Sequence, residues 1–234
     1  MKKTISVLSV LLLIFLSVFS FACCAKKETP DADATLKAWQ ETYTAGAFGI
    51  RSKKNPFVQF TFDTEETVRV ELYPSVAPIS VENFLTYVEE GFYEGTAFHR
   101  IMEGQMIQGG GFEIKDNLYV HKDPTRPAIK GEFASNGVNN TLRHTRGVIS
   151  MARTKAKDSA TSQFFFCAGT VPSWDGEYAA FGRVIDEESM SVLSRLEKLT
   201  THAEPLYYGA EGSSSSDVPV TRLTIKSVLL IWNQ

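Results

Sequence analysis

Apolar residues recur along this chain in short runs separated by polar and glycine-rich stretches. The runs Val58 to Phe62, Val68 to Leu72, Ile107, Val148 to Met151, Phe164 to Cys167, Ala180 to Ile185 and Leu223 to Ile231 have the length and the alternation of strands. Two stretches carry a helical period instead. After Pro78, the residues Val81, Phe84, Leu85 and Val88 fall on one face, Ser80 is the expected N-cap, and Gly91 marks the end. Between Ser189 and Leu199, Val192, Leu193, Leu196 and Leu199 share a face that Met190 leaves. Many short strands with only two helices predict a mainly β domain, a closed antiparallel barrel. Lys115 to Asn140, rich in Asn, Pro and charge, and Glu204 to Val218 read as loops, and the run Ser213 to Ser216 reads as a flexible, solvated one.

The N-terminus follows a different pattern. Lys2 and Lys3 precede an apolar run from Ile5 through Ala22 and then a cysteine, the layout of an export signal. The run approaches the length that spans a bilayer, so an uncleaved anchor is the competing reading. Ser20-Phe21-Ala22-Cys23 resembles the lipobox of bacterial lipoproteins, with Phe21 and Ser20 looser than its usual residues. It implies a leader over residues 1–22, an acylated Cys23 (Cys24 being the second candidate), and a tether over residues 23–54. Each buried methylene adds about 0.8 kcal/mol to membrane binding, so two or more chains make such an anchor stable. The expected location is the bacterial cell envelope, facing the periplasm or the cell surface. Residues 55–234 remain as one domain, large enough to bury a substantial core.

Composition narrows the function. Cys167 is the single cysteine of that domain, so no disulfide forms within it, and after an apolar strand it reads as a small buried hydrophobe. The formal net charge is -3, and loss of Lys2 and Lys3 makes the chain more acidic still. With no long basic run, nucleic acid is not the expected partner. No Cys and His pattern has zinc-ligand spacing, so no metal and no cofactor are expected. Gly109-Gly110-Gly111 lacks the Lys-Ser/Thr of a phosphate loop and suits a tight turn or a close approach. His121, His144 and His202 are scattered in loop-like sequence without a Gly-x-Ser-x-Gly elbow, which argues against a serine hydrolase.

The densest signal is Phe98-His99-Arg100 followed by Gln108-Gly109-Gly110, answered later by Met151-Ala152-Arg153-Thr154, Ser159-Ala160-Thr161, Gln163-Phe164-Phe165 and Phe181-Gly182. These residues bring one permanent cation, two amides and large apolar side chains together, which suits an uncharged peptide. In order and spacing they resemble the cyclophilin peptidyl-prolyl isomerases, and the bacterial members in particular, from about Pro56 to about Trp232. The resemblance implies an eight-stranded antiparallel β-barrel with a helix over each open end, no cofactor, and a monomer acting on proline-containing segments of other proteins. It places Arg100 at the catalytic position and Met106 and Phe165 in the proline socket. Gln108 and Gln163 fall at binding positions, Gln108 holding the arginine, and Ala152, Arg153 and Thr154 lie along the substrate backbone, with the main chain of Arg153 mattering most.

The chemistry explains why these residue types suffice. Rotation about a prolyl bond has a barrier of about 18–20 kcal/mol because the nitrogen lone pair is delocalised into the carbonyl. In the twisted state that lone pair returns and accepts a hydrogen bond, so a donor aimed at it binds the transition state selectively. Reaching roughly a thousand turnovers per second requires lowering the barrier by about 6–7 kcal/mol. An always-charged guanidinium with rigidly arranged donors can contribute to that. His99, next in sequence, points the other way on an alternating strand and is expected to be a hydrogen-bonded structural residue.

Two departures from the family pattern stand out. Gln105 replaces the usual aromatic neighbour of the methionine, which predicts weaker proline binding. In Trp174-Asp175-Gly176-Glu177-Tyr178, Trp174 stands where Leu is common when the Asp-Gly is aligned, and Tyr178 then stands at the usual His position, as in many bacterial members. Trp174 either lines the socket or covers the barrel rim, and both readings stay open here. These departures also leave a second function class, a peptide-binding chaperone or interaction module with little turnover, which a folded Arg100→Ala variant separates from an enzyme.

Overall fold

The computed structural model describes residues 55–231. The leader, Cys23 and the tether lie outside them. Thirteen strands and two α-helices follow in the order β1 Phe57–Phe62, β2 Thr67–Leu72, α1 Pro78–Glu89, β3 Thr96–Ala97, β4 Arg100–Met102, β5 Met106–Gly109, β6 Phe112–Lys115 and β7 Leu118–His121. Then come β8 Val148–Met151, β9 Phe164–Cys167, β10 Ala180–Val184, α2 Glu187–Leu196, β11 Thr201–Tyr208, β12 Glu211–Pro219 and β13 Ile225–Ile231.

Eight of the strands form one sheet in the order β13-β1-β2-β10-β8-β9-β5-β4, and every pairing in it is antiparallel. Just before β4 and β13, Ala97 bridges Thr224 and the Phe98 amide donates to Leu223 O. The alternation seen in the sequence is the alternation of faces. Val58, Phe60 and Phe62 are buried on β1 while Gln59 and Thr61 are only partly so, and Val58 and Phe60 pair with Val70 and Val68 of β2. Phe60 packs on Phe164 and Phe166, each at 5.4 Å, and α1 lowers Phe84 onto Phe60 and Phe181 at 6.0 and 5.3 Å. Burying such rings contributes roughly 1.5–3 kcal/mol each.

Both helices form where the period places them, but with different starts. The first begins at Pro78, and its N-cap Ala77 offers no side chain. Ser80 is inside the helix rather than capping it. The capping acceptor comes from elsewhere: the Glu132 carboxylate takes the Ile79 amide at 3.0 Å and the Ser80 amide and hydroxyl at 2.7 Å each. In α2, Asp186 caps by accepting from the Ser189 amide, Glu187 and Glu188 follow in the first turn, and the helix ends at Leu196, short of Leu199. Acidic residues at the start and Arg195 near the end complement the helix dipole.

The largest correction concerns Glu204 to Val218. Instead of a flexible loop, this segment forms most of a hairpin, β11 with β12, in a five-stranded sheet ordered β12-β11-β7-β6-β3. The serine run is in the ladder, with Ser213, Ser214 and Ser215 opposite Leu206, Pro205 and Glu204. Backbone pairing decides here, because only Leu206, Val218 and Pro219 of the two strands are buried and no apolar alternation exists to announce them. The expected loop from Lys115 to Asn140 likewise contains β7, joined to β6 through Asp116 and Asn117, both at positive φ.

Candidate active site

Strand register builds the site. Arg100 of β4 lies opposite Gln108 of β5, which lies opposite Phe165 of β9, which lies opposite Ser150 of β8. Directly opposed residues share a face, so this row presents a cation, an amide and an aromatic ring side by side. Met102 and Met106 form the next row with Cys167. The intervening positions Ile101, Ile107 and Phe166 take the other face, and all are buried. A cavity of about 360 Å³ opens on the row, lined by Arg100, Met102, Gln105, Met106, Gln108, Ala152, Arg153, Phe165, Trp174 and Tyr178. That volume falls in the range of sites that accept a small ligand or a short peptide segment.

The apolar wall is an aromatic cluster. Trp174 and Tyr178 meet Phe165 edge-on, with centroids at 5.2 and 5.7 Å, and lie 6.0 Å from each other. Trp174, at the end of a short 3-10 turn, therefore lines the cavity. Behind Phe165 lies His144, stacked at 6.1 Å, with Nε2 at 3.1 Å from Ser150 Oγ and Nδ1 at 3.2 Å from Asp175 Oδ1. Asp175 also accepts the His144 amide at 2.7 Å, which fixes the turn between Trp174 and Tyr178. Burial lowers the His144 pKa against the pull of Asp175, so the ring is a neutral support. No sequence signal marked it, since its partner is distant in the chain.

The polar side differs from expectation in its connections. Gln108 does not hold Arg100; its Nε2 donates to Gln163 Oε1 at 2.9 Å. Gln163 thus stands behind Gln108 rather than on the cavity surface. Its side chain lies over Gly111, where an added Cβ would come within 2.3 Å of Gln163 Cγ. The glycine run accordingly admits this chain's own Gln163 and, at Gly110, Phe164. Arg100, about two-fifths exposed, is held by Asp217 Oδ2 at 3.3 Å from Nε and by Met102 Sδ at 3.3 Å from Nη2. Asp217 is on β12, in the segment read as loop, and went unnoticed in the sequence.

Ala152 and Arg153 border the cavity. The Arg153 side chain is more occupied than a main-chain role implies: Nε and Nη2 donate to Glu177 O at 3.0 and 2.9 Å, and the guanidinium lies 4.7 Å over the Tyr178 ring. Thr154 is exposed, outside the residues that line the cavity, and turned toward Ser159, whose Oγ receives its amide at 3.0 Å. Gln105 does line it, exposed in the turn between β4 and β5, so one wall is polar. Glu197 at the end of α2 accepts the Gly104 amide in that turn at 3.1 Å and pairs with Arg146.

His99 turns away from the cavity and packs 4.5 Å from Phe112. Burial takes its pKa down to about 3, against a backbone hydrogen bond to Ala97. Its Nδ1 has no hydrogen-bond partner among the described residues, so it is structural but only partly satisfied. Cys167 is buried, and desolvation pushes its thiol up to about 12, which leaves it inert as a nucleophile.

Comparisons with known proteins identify the family. Residues 57–228 match the family described as cyclophilin type peptidyl-prolyl cis-trans isomerase/CLD. The chain is 39% identical over 166 residues to a peptidyl-prolyl cis-trans isomerase of Acinetobacter baylyi, covering 69% of this chain and 81% of that protein. It is 36% identical over 179 residues to peptidyl-prolyl cis-trans isomerase B of Escherichia coli, covering 72% and 96%. A crystal structure of a cyclophilin type isomerase from Cryptosporidium parvum superposes with a TM-score of 0.58 at 25% identity, over 77% of this chain and 99% of that one. The same relative, solved in the presence of the dipeptide Ala-Pro, superposes at 0.57 over 76% and 99%.

Proposed function

The chain belongs to the cyclophilin-type peptidyl-prolyl cis-trans isomerases and interconverts cis and trans X-Pro bonds; from that premise we propose the roles of its residues and the place where it works. Arg100 donates to the prolyl nitrogen as the amide twists out of plane. Phe165, Met106, Trp174 and Tyr178 hold the proline ring, which has no donor to satisfy and loses nothing against apolar walls. Gln108, backed by Gln163, and the backbone at Ala152 and Arg153 meet the substrate main chain. Clients are exported or envelope proteins, reached by an enzyme tethered through a lipid on Cys23.

The reaction breaks no bond and moves no proton, so the site needs neither nucleophile nor acid-base pair. A preorganised donor works because it gains its acceptor only in the twisted state. The observation that carries this reading is the cross-strand row Arg100, Gln108 and Phe165, which sets a charged donor beside an apolar socket on one face of the sheet. The Ala-Pro dipeptide named with the Cryptosporidium relative supports a proline-sized socket in the family.

Exchange spectroscopy by NMR on a short X-Pro peptide tests it. The parent accelerates exchange, and Arg100→Ala lowers kcat by roughly 100- to 1,000-fold while retaining much of the peptide affinity, as when one preorganised transition-state donor is lost. Undiminished turnover in a folded Arg100→Ala variant would remove Arg100 from the mechanism.

A further inference from the structure

Arg100 receives its carboxylate from a strand that does not belong to the eight-stranded sheet. Asp217 Oδ2 lies 3.3 Å from Arg100 Nε, and Oδ1 accepts from Ser216 Oγ at 3.0 Å, so both oxygens of the carboxylate are engaged. The ladder between β11 and β12 is irregular at this point. His202 pairs with Val218, but the next pair is Glu204 with Ser215, so Ser216 and Asp217 together stand against Ala203 alone. This is a β-bulge, a device that bends a strand and re-aims a side chain.

We propose that Asp217 is the positioning residue of Arg100, and that the bulge in β12 exists to deliver it. The inference rests on the assignment of Arg100 to the prolyl nitrogen. A guanidinium is a rigid plane with five donors. Engaging Nε fixes the rotation of that plane and leaves the terminal nitrogens for the cavity, where Nη2 already lies against Met102 Sδ. Without Asp217, a half-exposed arginine on a long side chain spreads over its rotamers. The carboxylate also partly offsets the charge of Arg100, but solvent screens a pair this exposed. Misplacement of a reacting group by about 1 Å can cost up to about a hundredfold. Orientation therefore outweighs the lost field, and removing the carboxylate lowers turnover.

The test compares the full chain in mild detergent with its Asp217→Asn, Asp217→Glu, Arg100→Ala and doubly substituted Arg100→Ala/Asp217→Asn variants, by NMR exchange on an X-Pro peptide. Expected are a fall in kcat on the order of tenfold for Asp217→Asn with KM within about twofold, partial recovery in Asp217→Glu, and no further loss when Asp217→Asn is added to Arg100→Ala. A purely structural Asp217 would leave kcat at the parental value in folded Asp217→Asn, or lower the double variant by the same factor again, and either result overturns the proposal. Parental turnover in Arg100→Ala overturns the assignment of Arg100 as well, so the two failures are told apart. Should Asp217→Asn not fold, the Arg100 Nε–H signal of the parent decides. A resolved signal exchanging slowly with water supports the clamp, and a water-averaged one overturns it.

Discussion

His99 sits one residue from Arg100 and shares none of its exposure. With its pKa down at about 3, the folded chain binds no proton there between about pH 6.5 and 3 while the unfolded chain does. Its contribution to stability is complete above about pH 6.5 and is lost as pH falls, by about 1.4 kcal/mol per unit. Urea unfolding at pH 7 and pH 5 should show this group costing about 2 kcal/mol, and His99→Phe should flatten the dependence by that amount. Equal slopes in the two proteins would refute the assignment. Gln105 poses the opposite question, being exposed and cheap to change. Gln105→Phe adds an apolar wall and should tighten X-Pro peptides by about 1 kcal/mol, roughly fivefold, read by titration calorimetry. Unchanged affinity would mean that the proline ring does not reach this wall. Arg100, Phe165 and Met106 were legible through the motif that resembles the cyclophilins; by alternation alone Phe165 and Met106 would read as barrel core. His144 and Asp217 were not legible, because each acts through a partner far away in the chain.

At the scale of elements, the hydropathic period located α1 but not what caps it. Glu132 lies in a segment with no period of its own, and it satisfies two amides and a hydroxyl at the start of the helix. Glu132→Gln keeps one acceptor oxygen and turns an amide NH2 toward donors. It should cost about 1–3 kcal/mol in urea midpoints while leaving KM for an X-Pro peptide unaltered. No loss of stability would show that solvent caps the helix equally well. The β11–β12 hairpin was illegible for a different reason. Serine has little strand preference and the hairpin buries few side chains, so its order comes from ladder hydrogen bonds and from Arg222, which joins Glu204 at 2.6 Å and the Asn117 carbonyl at 2.8 Å.

For the whole molecule, a mainly β, antiparallel domain with two helices was readable from apolar runs that alternate or shift to a helical period, while the number of eight strands came from the family resemblance. Which strands neighbour one another was not readable, since pairing order depends on closing loops of very different lengths. The anchor is a claim about the whole chain and is tested as one. Cys23→Ser should abolish incorporation of labelled palmitate into the chain and leave the leader over residues 1–22 uncleaved, whereas Cys24→Ser should keep both labelling and cleavage. A parent that carries no label and retains its first 22 residues by mass spectrometry would point to an uncleaved apolar anchor instead.

The row from Arg100 through Gln108 to Phe165 exists only while β4, β5 and β9 keep their alignment. A slip of one residue would turn any of the three to the opposite face. Under heat, such a catalyst behaves as a switch rather than a dimmer, with no half-melted form that still turns over. Its activity and its ellipticity should fall along one curve, so warming past the midpoint abolishes cis-trans exchange all at once rather than by degrees.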